Sequence, residues 1–302
     1  MVLERVTKRF GEVVAVRDLS LRVPRGVIYG FLGPNGAGKT TTIRMITGIY
    51  LPDAGRLEVL GQPTGEAVKE RIGYLPEERG LYKRMRAAEI IAYFGRLKGL
   101  GRVEADRRAR ALLERYGLGA WADRPCQALS KGMGQKVQIL ATIVHEPELV
   151  IFDEPFSGLD PINVELMRGL ILDCKAEGRT VIFSTHVLEQ AEQICDFIFL
   201  IDKGQKLLDG PLAEVRGRNG ESVWLEYDGD GAVLRELEGV ERLNDAGKVA
   251  EIVLRKGYDP QKLLAQLVGR VRIRRFDLRA PSLHEVFVRA VRRHEQEAQT
   301  HA

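Results

Sequence analysis

Gly33-Pro34-Asn35-Gly36-Ala37-Gly38-Lys39-Thr40-Thr41 is the stretch around which the chain is organised. It has the spacing G-x-x-x-x-G-K-[ST], with three glycines and no side chain before the lysine larger than Asn or Pro. Glycines let successive backbone N–H groups turn inward and approach a polyphosphate, which a Cβ would obstruct. Lys39 is placed to neutralise the outer phosphates, and the Thr40 hydroxyl to ligate Mg²⁺. The flanks agree: Val27-Ile28-Tyr29-Gly30-Phe31-Leu32 reads as a buried strand. Thr41-Thr42-Ile43-Arg44-Met45-Ile46-Thr47 reads as a helix whose N-terminus faces the anion. The stretch predicts a nucleoside triphosphate site.

A second stretch supplies the acids such a site needs. Leu149-Val150-Ile151-Phe152-Asp153-Glu154 is an apolar strand with two carboxylates at its C-terminal end, where α/β sheets bind ligands. Asp153 suits a Mg²⁺ ligand, direct or through water. Glu154, one residue on, points elsewhere and is placed to polarise an attacking water.

Around these two strands the hydrophobic pattern predicts an ordered set of elements. Residues 1–25 alternate apolar and polar in short bursts, as hairpin strands do, and 56–60 add a strand past the turn Pro52-Asp53-Ala54-Gly55. From about 85 to 145 the period becomes helical; Ala87, Ile90, Ile91, Phe94 and Leu97 share one face, as do Ala109, Leu112, Leu113 and Tyr116. Then strands at Leu149–Asp153, Val181–Ser184 and Phe197–Asp202 alternate with helices near 162–177 and 187–194, the grammar of a parallel sheet. Near Arg216-Gly217-Arg218-Asn219-Gly220 the pattern restarts. Strands at 222–227, 240–245, 249–254 and 271–277, helices near 231–238 and 260–268 and a closing helix from Pro281 give the order βαββαβα. That order is a small ferredoxin-like α+β domain. The expected division is thus 1–217 and 218–302, with a polar, frayed tail after Arg293.

Composition excludes several classes. A hydrophobic fraction of 44% and a charged fraction of 29% over 302 residues are those of an ordinary globular chain. The net charge of +4 is spread along the sequence, so no polyanion-binding tail is expected. Arg272-Ile273-Arg274-Arg275 reads as a strand with one wet face rather than a nucleic-acid surface. Cys126, Cys174 and Cys195 are odd in number and lack metal-like spacing, which predicts reduced thiols in a cytosol. The first residues, Met1-Val2-Leu3-Glu4-Arg5, do not read as a signal peptide. No apolar run approaches the roughly 18 residues that span a bilayer, so a membrane role would need a partner chain.

Leu129-Ser130-Lys131-Gly132-Met133, followed by Gly134-Gln135-Lys136, resembles the signature sequence of ATP-binding cassette (ABC) ATPases, at the family's distance upstream of Asp153-Glu154. Ser157-Gly158-Leu159-Asp160 resembles the D-loop, and Ser184-Thr185-His186 carries the switch histidine. Phe10 sits where an aromatic stacks on adenine, and Gly73-Tyr74-Leu75-Pro76-Glu77 where the glutamine loop belongs. The resemblance covers about residues 1–217 and implies a P-loop NTPase cassette: a mixed sheet core, an N-terminal antiparallel β subdomain and a helical signature subdomain.

Ser130 and Gly132 precede an apolar helix, so hydroxyl and helix-end amides form a second anion site. The resemblance then implies two cassettes paired head to tail, a homodimer sandwiching two ATP molecules. Asp160-Pro161 looks like an N-cap followed by Pro at the first helical position, and as a D-loop it would lie at that seam. His186 would contact the γ-phosphate.

Three positions depart from the family pattern. Glu77 replaces the usual glutamine; it can still ligate Mg²⁺ but adds negative charge beside the triphosphate. Lys131 and Met133 replace the signature's usual Gly and Gln, and Phe10 the commoner tyrosine. The stretch from Gly73 to Tyr82 and Pro281-Ser282-Leu283-His284-Glu285-Val286-Phe287 are similar to the bacterial exporter branch that includes sodium-extrusion and drug-export ATPases. The implied protein is an ATP-hydrolysing subunit using ATP and Mg²⁺, peripheral on the cytoplasmic face of the cell membrane. It would work through separate transmembrane permease subunits and bind no nucleic acid. A soluble cassette ATPase acting on ribosomes or DNA is the alternative; such relatives usually carry two cassettes or a long coiled-coil insertion.

Overall fold

The computed structural model describes residues 1–63, 66–77, 80–217, 222–255, 257–279 and 281–300. Arg218-Asn219-Gly220 of the expected linker and Glu78-Arg79 after the Glu77 loop lie outside the described residues. The chain forms two compact units, Met1–Asp209 and Gly210–Ala302.

The first unit opens with β1 (Val2–Phe10), β2 (Val13–Arg22) and β3 (Ile28–Leu32), and β3 runs through the glycine loop into α1 (Lys39–Ile46). β4 (Ala54–Val59), β5 (Gln62–Pro63), the short α2 (Glu66–Lys69) and β6 (Ile72–Leu75) follow. The helical stretch resolves into α3 (Ala87–Leu97), α4 (Arg102–Arg115) and α5 (Lys131–Ile143). β7 (Leu149–Phe152), α6 (Pro161–Ala176), β8 (Thr180–Thr185), α7 (Leu188–Ile194), β9 (Phe197–Asp202) and β10 (Gln205–Pro211) complete it.

Two sheets result. One is a four-stranded sheet of order β2-β1-β4-β5, its pairs antiparallel. The other has six strands in the order β10-β9-β3-β8-β7-β6, with β9, β3, β8, β7 and β6 mutually parallel. Every residue of β3, β7 and β8 is buried, which explains why they read as unbroken apolar runs: parallel strands are covered on both faces. One continuous core joins Leu3, Val6, Val16 and Leu19 of the antiparallel sheet through Ile43, Met45 and Ile46 of α1 to Phe31, Ile151, Ile182 and Phe199. α1 is therefore clamped from both sides, and the loop that precedes it is held rigidly. β8 lies between β3 and β7, so the loops leaving those three strands open side by side at one end of the sheet.

The sequence pattern missed β6 and β10. β6 is four residues stopped at Leu75 before Pro76, too short for a period; β10 follows β9 through the two-residue turn Lys203-Gly204, φ +47° and +76°, a hairpin geometry. Leu97, read as part of the buried face of α3, is exposed.

In the second unit α8 (Leu212–Gly217), β11 (Ser222–Asp228), β12 (Val240–Asp245), β13 (Val249–Leu254), α9 (Pro260–Leu267), β14 (Arg272–Arg279) and α10 (Leu283–Thr300) follow in order. The sheet order is β12-β13-β11-β14, all antiparallel, which is the ferredoxin-like topology. Val223, Leu225, Tyr227, Ile252, Leu263 and Leu267 form its core. Between β11 and β12 the chain makes a 3-10 turn, Gly231–Glu236, and not an α-helix over 231–238. The Asp230 side chain accepts from the Ala232 N–H at the start of that turn. The frayed tail expected after Arg293 continues instead as helix to Thr300.

Candidate nucleotide site

The glycine loop is shaped by contacts that a side chain would break. An ideal Cβ on Gly33 would lie 2.2 Å from the Ile201 carbonyl oxygen, and one on Gly38 2.7 Å from that of Ala15. Gly38, at φ +106°, is also the residue from which α1 starts. The helix begins at Lys39, two residues earlier than its hydrophobic pattern suggested, so Thr40 and Thr41 belong to its first turn. That turn leaves N–H groups without intrahelical partners, available to an anion.

A cavity of about 220 Å³ opens over the loop, lined by Asn35, Gly36, Ala37, Gly38, Lys39, Thr40, Thr41, Glu77, Glu154 and Ala15. Pro34 contributes its carbonyl from below. Lys39 is buried and folds back, its Nζ donating to the Gly33 carbonyl at 2.7 Å and the Pro34 carbonyl at 3.2 Å, with Glu154 Oε1 at 3.3 Å. The Thr40 hydroxyl donates to Asp153 Oδ1 at 3.3 Å. The Ser184 hydroxyl donates to the same oxygen at 2.5 Å and accepts from the Glu154 N–H at 2.9 Å. His186 Nδ1 donates to Glu154 Oε2 across 3.1 Å. Six side chains from α1, β8 and the ends of β7 and β8 are thus joined in one network.

Asp153 is fully buried, and burial pushes its carboxyl above the usual range, opposed by the bonds from Ser184 and Thr40. Its Oδ2 is buried without a hydrogen-bond partner among the described residues, a costly condition unless the oxygen has a cation or water to face. Thr40, Asp153 and Glu77 offer only oxygen, the donor set of a hard cation. Among the described residues no cluster of three His, Cys, Asp or Glu side chains could hold a metal alone. Such a partial set fits Mg²⁺, which keeps waters and binds through one or two carboxylates plus substrate phosphates.

Other expected residues lie elsewhere. Ser130 caps α5, its hydroxyl accepting from the Met133 N–H at 3.3 Å. A Cβ on Gly132 would lie 2.4 Å from the Asn163 side chain, and Asp160, the cap of α6, accepts from Asn163 N at 3.0 Å. These hydrogen bonds hold the Asp160 carboxyl below the usual range. Ser130, Gly132, Asn163 and Asp160 therefore form a second cluster, and none of them lines the cavity over the glycine loop. Phe10 does not line it either; its ring stands edge-on to Tyr50 with centroids 5.2 Å apart, 44% exposed. Residue typing passed over Gln135, whose buried amide donates to the Pro155 carbonyl at 2.8 Å and ties α5 to the turn after the acidic pair. It also passed over the double hydrogen bond of Ser184, since a serine in an apolar strand carries no signal until the neighbouring strand is known.

A site with these parts can cradle a triphosphate on backbone amides, balance it with Lys39, and present a carboxylate and an imidazole to whatever attacks the terminal phosphate. Comparison with known proteins agrees. The family model described as "ABC transporter" matches residues 16–157, and "ATP-binding protein DrrA1-3-like, C-terminal domain" matches 210–291. An uncharacterized ABC transporter ATP-binding protein, YhaQ of Bacillus subtilis, is 37% identical over 292 residues, covering 96% of this chain and 98% of that protein. The Nod factor export ATP-binding protein I of Burkholderia lata is 35% identical over 97% of each chain. A solved ATP-binding subunit of an ABC transporter superposes with TM-score 0.66 at 31% identity, over 72% of this chain and 92% of that one. The chain belongs to the ABC transporter ATP-binding protein family, whose ATP-binding domains are ATPases.

Proposed function

We propose that this ATPase powers export of a substrate through separate transmembrane permease subunits, working as a homodimer with ATP at its seams. The observation that carries the reading is the split of the anion-binding parts. The glycine loop, Lys39, Thr40 and Glu154 line one cavity, with Asp153 bonded to Thr40 and His186 to Glu154 behind that lining, whereas Ser130, Gly132 and Asp160 form a separate cluster that does not line it. A second chain bringing its Ser130 and Gly132 to this cavity completes the site, and Asp160 then lies at the seam. The export direction is supported by relatives whose names denote Nod factor export.

In this mechanism the backbone amides of Asn35 to Thr41 and the Lys39 ammonium hold the β- and γ-phosphates, and Phe10 stacks on the base. Thr40 and Asp153 would hold Mg²⁺, with Glu77 at the edge of the site, and a cation there would supply positive charge to offset that of the triphosphate. Glu154 accepts the proton of the attacking water, and His186 fixes the Glu154 carboxylate while facing the γ-phosphate. The two domains, expected from the sequence at 1–217 and 218–302 and dividing by compactness after Asp209, share the labour: the first carries the chemistry, and the second holds protomers together or modulates them. The membrane partner docks near the Glu77 loop, which places the chain peripherally at the cytoplasmic face; no helix among the described residues is long and apolar enough to cross a membrane.

The test is affinity isolation of the full chain from detergent-solubilised membranes and, separately, from the ribosomal fraction. Recovery with a multi-span membrane protein, and ATPase activity altered by it, is expected. Recovery with ribosomes or DNA instead assigns the chain to the soluble branch.

A further inference from the structure

Ser184 sits on β8, fully buried, between the strand that leads to the glycine loop and the strand that ends in the acidic pair. In the register of those strands Phe152 faces Phe183, so Ser184 stands beside Asp153. A serine hydroxyl has one proton to give and lone pairs to receive, and both are used: Oγ donates to Asp153 Oδ1 and accepts the Glu154 N–H. We infer that Ser184 is a positioning residue for ATP hydrolysis, one hydroxyl fixing both the Asp153 carboxylate and the backbone turn that aims Glu154.

The first half of the effect is rotational. A carboxylate turns easily about its last bond. With Oδ1 held by Ser184 at 2.5 Å and Thr40 at 3.3 Å, that turn is arrested, and Oδ2 is the oxygen left without a protein hydrogen bond among the described residues. The second half is a backbone matter. Glu154 has φ +47°, a left-handed conformation that costs energy for a residue with a Cβ. Such a conformation persists only where its surroundings over-determine it. The bond from the Glu154 N–H to Ser184 is a direct restraint on that residue, and the turn brings its carboxylate back over the loop, between Lys39 and His186. Alanine can make neither bond. Threonine keeps the hydroxyl, and cysteine fills the same space with a weaker donor.

This inference rests on the reading that Asp153 holds Mg²⁺ and Glu154 takes the water's proton, so the experiment separates the two. Ser184→Ala, Ser184→Thr, Ser184→Cys and Glu154→Gln are made in the full chain. Steady-state hydrolysis gives kcat and KM, and a fluorescent ATP analogue titrated at fixed Mg²⁺ series gives the Mg²⁺ dependence of binding without turnover. For Ser184→Ala a fall in kcat of about 10–100-fold is expected, with KM within threefold and the Mg²⁺ midpoint raised severalfold. Ser184→Thr restores both, and Ser184→Cys falls between; should Ser184→Ala not fold, the Cys and Thr pair carries the same comparison. If the variants lower only thermal stability, with kcat and the Mg²⁺ midpoint within threefold of wild type, the inference is overturned. Normal turnover in Glu154→Gln overturns the proposed role of Glu154 instead, and Ser184 is then judged on the Mg²⁺ midpoint alone.

Discussion

Lys39 and Glu154 face each other across 3.3 Å, both side chains less than a tenth exposed. The residue that would neutralise phosphate and the residue that would activate water therefore hold each other in place. Glu154→Gln removes the charge and the base while keeping the shape. Turnover should fall by about 10²–10⁴-fold, the range for a lost general base. ATP binding should persist, and the closed, loaded dimer should accumulate. Phosphate release and nucleotide binding, measured on the same sample, check this; hydrolysis within a few-fold of wild type removes Glu154 from the mechanism.

Gly33→Ala should abolish nucleotide binding and destabilise the fold. Its Cβ would meet the Ile201 carbonyl oxygen at 2.2 Å, a backbone atom of a buried strand that has nowhere to go. Overpacking of this kind costs about 1–3 kcal/mol. A lowered unfolding midpoint together with lost ATP binding is the expected pair; an unchanged midpoint means the loop shifts freely.

Phe10→Ala should weaken ATP binding roughly tenfold with little change in the bound-state rate, since stacking a base on an aromatic ring is worth about 1–3 kcal/mol. The ring is half exposed against Tyr50, so it has a free surface to offer. Equilibrium titration with nucleotide decides; unchanged affinity makes Phe10 part of a surface aromatic pair and nothing more.

His145 gives a pH prediction. Burial, with the Lys98 charge nearby, depresses its pKa to about 4. A depressed folded-state value means the unfolded chain takes up the proton first, at about 6.5. Stability from this group is thus complete above about pH 6.5 and is lost as pH falls through about 4. The loss approaches about 3 kcal/mol. Denaturant unfolding between pH 7 and 4 should show a steeper decline for wild type than for His145→Gln, and parallel curves would contradict it.

A chain ending at residue 217 should fold and bind ATP, but dimerise more weakly without nucleotide. Sedimentation of the full and shortened chains in the absence of ATP compares them directly. Equal monomer fractions sink the idea that the second unit joins protomers, and an insoluble short chain makes that unit a cover for apolar surface.

The glycine loop and the acidic pair were legible because each is local: a few adjacent residues whose types suffice to state the chemistry. The parallel strands were legible because β3, β7 and β8 are buried on both faces and so apolar throughout. Ser184 and Gln135 were not, since their meaning lies in what neighbouring strands and turns bring beside them, Asp153 in one case and the Pro155 carbonyl in the other. The segment after Asp230 was misread because apolar spacing alone does not separate a 3-10 turn from a short α-helix.

The buried phenol of Tyr29, three positions before the strand ends, donates its proton to Asp209, the last residue of the first unit. Burial and that carboxylate both push the phenol pKa upward. Anyone dividing this gene into portable pieces meets the consequence. A cut even one residue short of the border is costly, because a chain stopped before Asp209 leaves a buried hydroxyl unanswered, at about 1–3 kcal/mol. The usable seam lies past Pro211, where β10 has finished its run along the sheet.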